Sequence, residues 1–182
     1  QTNQVAPLHT ARHAHTATLL LDGRVLVVGG YNRPTQWLDD AEVYDPAADT
    51  WTVVPPRYSH GVEHTATLMN DGRVLVVGGA IASGVGTGRV EIFDPQTNAW
   101  TEAMPLESNR VYHTAQLLND GRVLVAGGGT AVEDVRVVGD ALLYNPQMNT
   151  WTATGPMVKM RILPQSVRLP DGRVLVTGGI TP

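Results

Sequence analysis

Several sets of residues in this 182-residue chain have types and spacing that could do chemistry. His15, His64 and His113 recur at constant steps of 49 residues and could be imagined as a three-imidazole zinc site. Arg12, Arg110 and Arg161 each stand three residues before that position in their own segments, where converging guanidinium groups could bind anions. The stretch "RVLVVGGAIASGVGTG", residues 73–88, runs an apolar strand-like segment into glycines, as a phosphate-binding loop does. Which of these are sites depends on the elements that carry them.

Those elements repeat. "DGRVLVVGG" begins at Asp22 and Asp71, "DGRVLVAGG" at Asp120 and "DGRVLVTGG" at Asp171, in steps of 49, 49 and 51 residues. "HTATL" begins at His15 and His64, and "HTAQL" at His113; "YDP", "FDP" and "YNP" begin at Tyr44, Phe93 and Tyr144; Trp51, Trp100 and Trp151 complete the unit. Each unit reads as four short strands. Strand A is the HTATL segment, Asp-Gly supplies the tight hairpin turn, and strand B ends in a glycine pair. Strand C is stopped by Asp-Pro or Asn-Pro, and strand D is centred on the tryptophan. Helical periodicity is almost wholly lacking, so the fold is expected to be all-β.

A period near 50 residues with these marks in this order resembles the kelch repeat of β-propellers, in the variety found in propellers of the galactose-oxidase type. The resemblance covers essentially the whole chain. It implies four-stranded antiparallel blades around an axis, about 3.5 to 4 of them here, with aromatic residues packed between neighbours. The units run approximately over residues 9–57, 58–106 and 107–157, with a partial unit over 158–182 and residues 1–8 as a closing outer strand. That leaves one strand C wanting for four blades, so completion by further blades or by a second copy is expected, with a compact four-bladed monomer as the alternative.

Within this frame the chemical candidates sort themselves. Residues recurring at one place in every unit are read as architecture, and residues that break the repeat as candidates for function. The histidines occupy equivalent places on separate blades, and the fourth unit puts Pro164 there, which favours hydrogen bonding at strand starts over metal. The arginines are read the same way, with Gly61 in the second unit. Gly84, Gly86 and Gly88 give G-x-G-x-G without a following helix, because "RVEIF" continues as a strand; no Gly-Lys-Ser/Thr follows either. The nucleotide reading falls, and the glycines become a variable connection.

In an antiparallel blade the D–A and B–C connections share one end, and these are the segments that differ from unit to unit. Candidate binding residues there are Tyr31, Arg33 and Trp37 in the first B–C loop, Arg57, Tyr58, His60 and Glu63 in the next D–A connection, and Tyr112 in the one after. The third B–C loop carries Glu133, Asp134, Arg136 and Asp140, of mixed sign, which suits a solvated loop better than a metal cage.

Composition narrows the partner class. Apolar residues make up 42% and charged residues 16%, a globular balance, and the formal charge of −4 offers no basic field for nucleic acid. No apolar run reaches membrane-spanning length. Cysteine is lacking, which removes thiolate nucleophiles, disulfides and the cross-linked tyrosine cofactor that the galactose-oxidase likeness would imply. The expectation is a non-catalytic binding or scaffolding module, without cofactor or metal, that presents variable loops to a protein or carbohydrate ligand. Membership of a larger kelch-propeller enzyme and a purely structural repeat are the alternatives. The compartment is open, with the resemblance leaning towards a secreted or cell-surface setting.

Overall fold

The computed structural model describes residues 5–32, 36–56, 58, 61–81 and 84–181. Blade I is the sheet of β1 (Thr16–Leu19), β2 (Val25–Val28), β5 (Ala41–Asp45) and β6 (Thr50–Val53); its B–C loop holds a small hairpin of β3 (Tyr31–Asn32) and β4 (Gln36–Trp37). Blade II consists of β7 (Val62–Leu68), β8 (Val74–Ala80), β9 (Val90–Asp94) and β10 (Ala99–Glu102). Blade III consists of β11 (Thr114–Leu117), β12 (Val123–Ala126), β13 (Ala141–Asn145) and β14 (Thr150–Ala153). A last pair, β15 (Gln165–Arg168) and β16 (Val174–Thr177), forms half a blade. All ladders are antiparallel and strands follow one another in chain order within each sheet. Among the described residues there is no helix, and so none long and apolar enough to cross a membrane.

Local sequence explains each element. At the A–B turn, Asp22 Oδ1 accepts the Arg24 amide at 3.0 Å while Gly23, at φ 88°, closes the hairpin. At the C–D turn, Asp45 Oδ1 accepts the Ala47 amide at 2.8 Å, and Asp49 takes a left-handed φ of 51°. Asp94, Asn98, Asn145 and Asn149 repeat this arrangement in the other two blades.

Alternation of side chains then builds the cores between sheets. Leu26 and Val28 of blade I pack with Val74, Val76 and Phe93 of blade II, while Leu75, Val77 and Ile92 turn the other way to meet Val123, Val125 and Tyr144 of blade III. Blade II is therefore buried on both faces, and β8 is inaccessible along its whole length. In the half blade, Val174 and Val176 are only half-buried and Leu175 is exposed.

Each strand-D tryptophan is partly buried against the aromatic residue of its own strand C, at ring-centroid distances of 4.9, 5.1 and 5.0 Å for Tyr44–Trp51, Phe93–Trp100 and Tyr144–Trp151. Its indole N–H donates to the connection from the preceding blade: Trp51 to Ala6 O, Trp100 to Val54 O and Trp151 to Met104 O. In the repeat, residues 1–4 stand where β10 stands in blade II, and residues 5–8 stand where residues 103–106 follow it. Residues 1–4 lie outside the described residues, and residues 5–8 form no strand. Residues 5–8 are held through Ala6, whose amide donates to Asp49 Oδ1 at 2.9 Å.

Candidate binding face

The A strands of successive blades lie next to one another, and side chains tie them together. Thr16 Oγ1 and His64 Nε2 share a hydrogen bond of 2.8 Å, as do Thr65 Oγ1 and His113 Nε2. Where the fourth unit replaces histidine by Pro164, Thr114 Oγ1 bonds Ser166 Oγ at 2.6 Å. His64 and His113 thus each bridge their blade to the preceding one. His113 is fully buried, and burial, aided by the Arg110 charge, pushes its pKa down to about 3, so it is neutral. Among the described residues no cluster of three His, Cys, Asp or Glu side chains is placed to hold a metal ion.

The glycine pairs work at the same end. Gly78 adopts φ 65°, and a Cβ there would collide with the Arg110 carbonyl of blade III. Gly79 donates its amide to that carbonyl at 2.9 Å, as Gly30 does to Gly61 O at 2.7 Å and Gly128 to Arg161 O at 2.9 Å. In three of the four units the recurring arginine clamps the first glycine of the pair from within its own blade. Arg12 Nη1 donates to Gly29 O at 2.9 Å, Arg110 Nη1 to Gly127 O at 3.1 Å and Arg161 Nη1 to Gly178 O.

Their charges are neutralised in two ways. Arg12 meets Asp40 at 2.8 Å and the inaccessible Glu42 at 2.5 Å; Glu42 also accepts from the His9 amide at 3.0 Å and contacts His9 Nδ1 at 2.8 Å. Burial pushes the Glu42 carboxyl up, but the His9 hydrogen bonds and the Arg12 charge outweigh it and hold the group below its ordinary value. Arg110, itself fully buried, instead forms a two-pronged pair with Asp140 at 2.7 and 2.9 Å. Asp140 was expected in a solvated loop; it is a structural partner of Arg110.

One position on this face breaks the rule that separates architecture from variation. Ala14, Glu63, Tyr112 and Leu163 occupy the same place in four successive units, one residue before the His or Pro position. All four take left-handed backbone, at φ 54°, 61°, 56° and 55°, although none is glycine. Such a conformation costs a residue with a Cβ roughly 1–2 kcal/mol, so the backbone is held by its surroundings while the side chain is left to vary. Glu63 is half-buried, and that burial raises its carboxyl above the ordinary range. The Tyr112 hydroxyl is raised by burial and then by the Glu63 charge, which places the two groups within electrostatic reach of each other.

Around Glu63 and Tyr112 lies an aromatic patch. Tyr31, Trp37, Tyr112 and Val132 pack on Val62, Ala80 and Val111. Tyr31 meets Trp37 edge-on at 5.9 Å and His13 at 5.1 Å, and Trp37 lies over Gly61 of the next blade. The structure therefore gathers Tyr31, Trp37, Glu63 and Tyr112. Tyr58 stands apart, its ring under the Arg89 guanidinium at 3.8 Å and its hydroxyl donating to Glu102 at 3.1 Å. Arg33, Arg57 and His60 lie outside the described residues. Sequence reasoning passed over Ala14 and Leu163, which carry no compositional signal. It also missed the buried carboxylates, whose signal was a glutamate at one place in two strands C, "AEVYD" and "VEIFD".

Comparison with known proteins agrees with this architecture. The family model described as the KLHDC2/KLHL20/DRC7 Kelch-repeats domain matches residues 1–179. No curated protein gives a significant match. Kelch-repeat domains generally mediate protein interaction. Repeats, blades and family model converge: the chain belongs to the Kelch-repeat domain family of the KLHDC2/KLHL20/DRC7 type.

Proposed function

We propose that this chain is a non-catalytic module that takes a protein partner on the face formed by its D–A and B–C connections, with Glu63 and Tyr112 at the centre of the contact. The observation that carries this reading is the left-handed position before each strand A. A strained backbone repeats there, and four different side chains, Ala14, Glu63, Tyr112 and Leu163, are presented from it. The aromatic patch that includes Tyr112 supplies rigid apolar area, and the half-buried Glu63 carboxylate favours a partner that brings a cationic group to it.

The test compares three forms of the protein in quantitative capture from the host proteome and on a glycan array: the unaltered chain, Glu63→Gln/Tyr112→Ala, and Arg122→Ala at the opposite, short-turn end. A partner retained by the first and third and lost at least tenfold by the second supports the reading. Equal retention by all three, with unchanged thermal unfolding, removes this face from consideration. A glycan bound with the same pattern replaces protein by carbohydrate.

A further inference from the structure

Blade III differs from blades I and II where the connection from the preceding blade crosses the outer strands. In blade I that place belongs to His9, drawn to Glu42. In blade II it belongs to Tyr58, whose amide donates to Glu91 at 3.0 Å, whose hydroxyl donates to Glu102 at 3.1 Å and whose ring lies 3.8 Å from the Arg89 guanidinium. The equivalent residue in blade III is the exposed Glu107, and the groups it faces have changed as well. Leu142 replaces the buried glutamate, Ala153 replaces Glu102, and Asp140 replaces Arg89. At the position of His9 and Tyr58 the exposed Glu107 makes no bond to the sheet among the described residues, and beside the buried Leu106 a cavity of about 560 Å³ opens, bordered by Leu106, Glu107, Asp140, Leu142 and Trp151.

We propose that this cavity is a docking site for a tyrosine side chain of a partner polypeptide, flanked by an arginine that meets Glu107. The chain itself shows the occupant: in blade II a tyrosine fills the same place from within. The floor of Leu106, Leu142 and the partly buried Trp151 is apolar and suits a ring. At the mouth, Asp140 is neutralised by its two bonds to Arg110, so the charge left for a partner is the single negative charge of Glu107. This site is separate from the loop face and does not rest on the reading given for it.

The experiment follows the indole N–H of Trp151, which donates to Met104 O at 2.7 Å, by nitrogen-15 NMR of the 182-residue chain titrated with acetyl-Arg-Tyr-amide. A saturable shift of that resonance is expected. Acetyl-Glu-Tyr-amide should bind about fivefold more weakly, the size of one exposed ion pair. Glu107→Tyr, which rebuilds the blade II arrangement, should abolish the shift by filling the cavity. Glu107→Gln, which leaves the cavity open, should retain binding and lose the preference for arginine. A Trp151 resonance unmoved by the dipeptide up to about 20 mM, roughly twentyfold above a millimolar dissociation constant, overturns the proposal. So does equal affinity for the two dipeptides, or an equal shift in Glu107→Tyr.

Discussion

Arg12 in blade I and Arg110 in blade III stand at the same place and clamp the same glycine carbonyl, yet they live in opposite electrostatic settings. Arg12 sits in a network with Asp40 and with Glu42, whose carboxylate is wholly removed from water. Arg110 is tied to one carboxylate, Asp140, whose side chain keeps 44% of its exposure, and the place of the buried glutamate is taken by Leu142. Where the arginine is present, the frame accepts either counter-charge, and blade II, with Gly61 at that place, forms without one. A buried ion network can be exchanged for an apolar residue when both charges leave together or when the remaining one finds another partner.

The comparison breaks most visibly at Arg12. Arg12→Met strands Glu42 as a buried carboxylate and should destabilise the protein by about 3–5 kcal/mol in urea unfolding at neutral pH. Arg12→Met combined with Glu42→Leu should recover most of that loss; a double variant no better than the single one would mean that the network matters for its geometry rather than its charge.

Next in size is acid sensitivity at the border between blades II and III. His113 is held neutral in the folded state with a pKa near 3 against an ordinary 6.5. Its contribution is complete above pH 6.5 and is lost progressively as pH falls towards 3, because only the unfolded chain takes up the proton. Between pH 6.5 and pH 5 the loss should be about 2 kcal/mol. His113→Gln should flatten that part of the stability profile, and an unchanged slope would refute the assignment.

Arg110→Met releases Asp140 to water rather than stranding it, so its cost should be about 1–2 kcal/mol, clearly below that of Arg12→Met. Equal costs for the two arginines would erase the distinction between the blades.

The smallest effect is expected at Glu63, and its sign is opposite. Burial raises its carboxyl above 4.5, so the ionised form opposes folding at neutral pH, and the penalty vanishes as pH falls below 4.5. Glu63→Gln should stabilise by roughly 0.2–1 kcal/mol at pH 7, given the screening of a half-exposed group, and should be neutral near pH 4.

Much of this architecture was legible in the sequence because it recurs at a fixed step. Asp-Gly turns, glycine pairs and the aromatic marks of strands C and D fall where the repeat puts them, since each answers a backbone requirement that every blade shares. The hairpin of Tyr31 and Trp37 lies in a segment with no sibling against which to align it. Least legible was the left-handed position before strand A. Alanine, glutamate, tyrosine and leucine share no chemistry, and the glycine that usually betrays such a backbone is not used. The cavity of blade III could be seen only by setting Glu107 and Leu142 against Tyr58 and Glu91, two substitutions far apart in the chain that meet in the fold.

The left-handed positions also bear on how such a chain can change. The left-handed backbone at Ala14, Glu63, Tyr112 and Leu163 is set by its surroundings and is compatible with small, acidic, aromatic and aliphatic side chains that are not branched at Cβ. Exchanges among such side chains at the exposed Ala14 and Leu163 alter the presented surface at little cost to the fold. The position is thus a site of cheap diversification, where new recognition can be sampled by drift or by a designed library without first adding stability elsewhere.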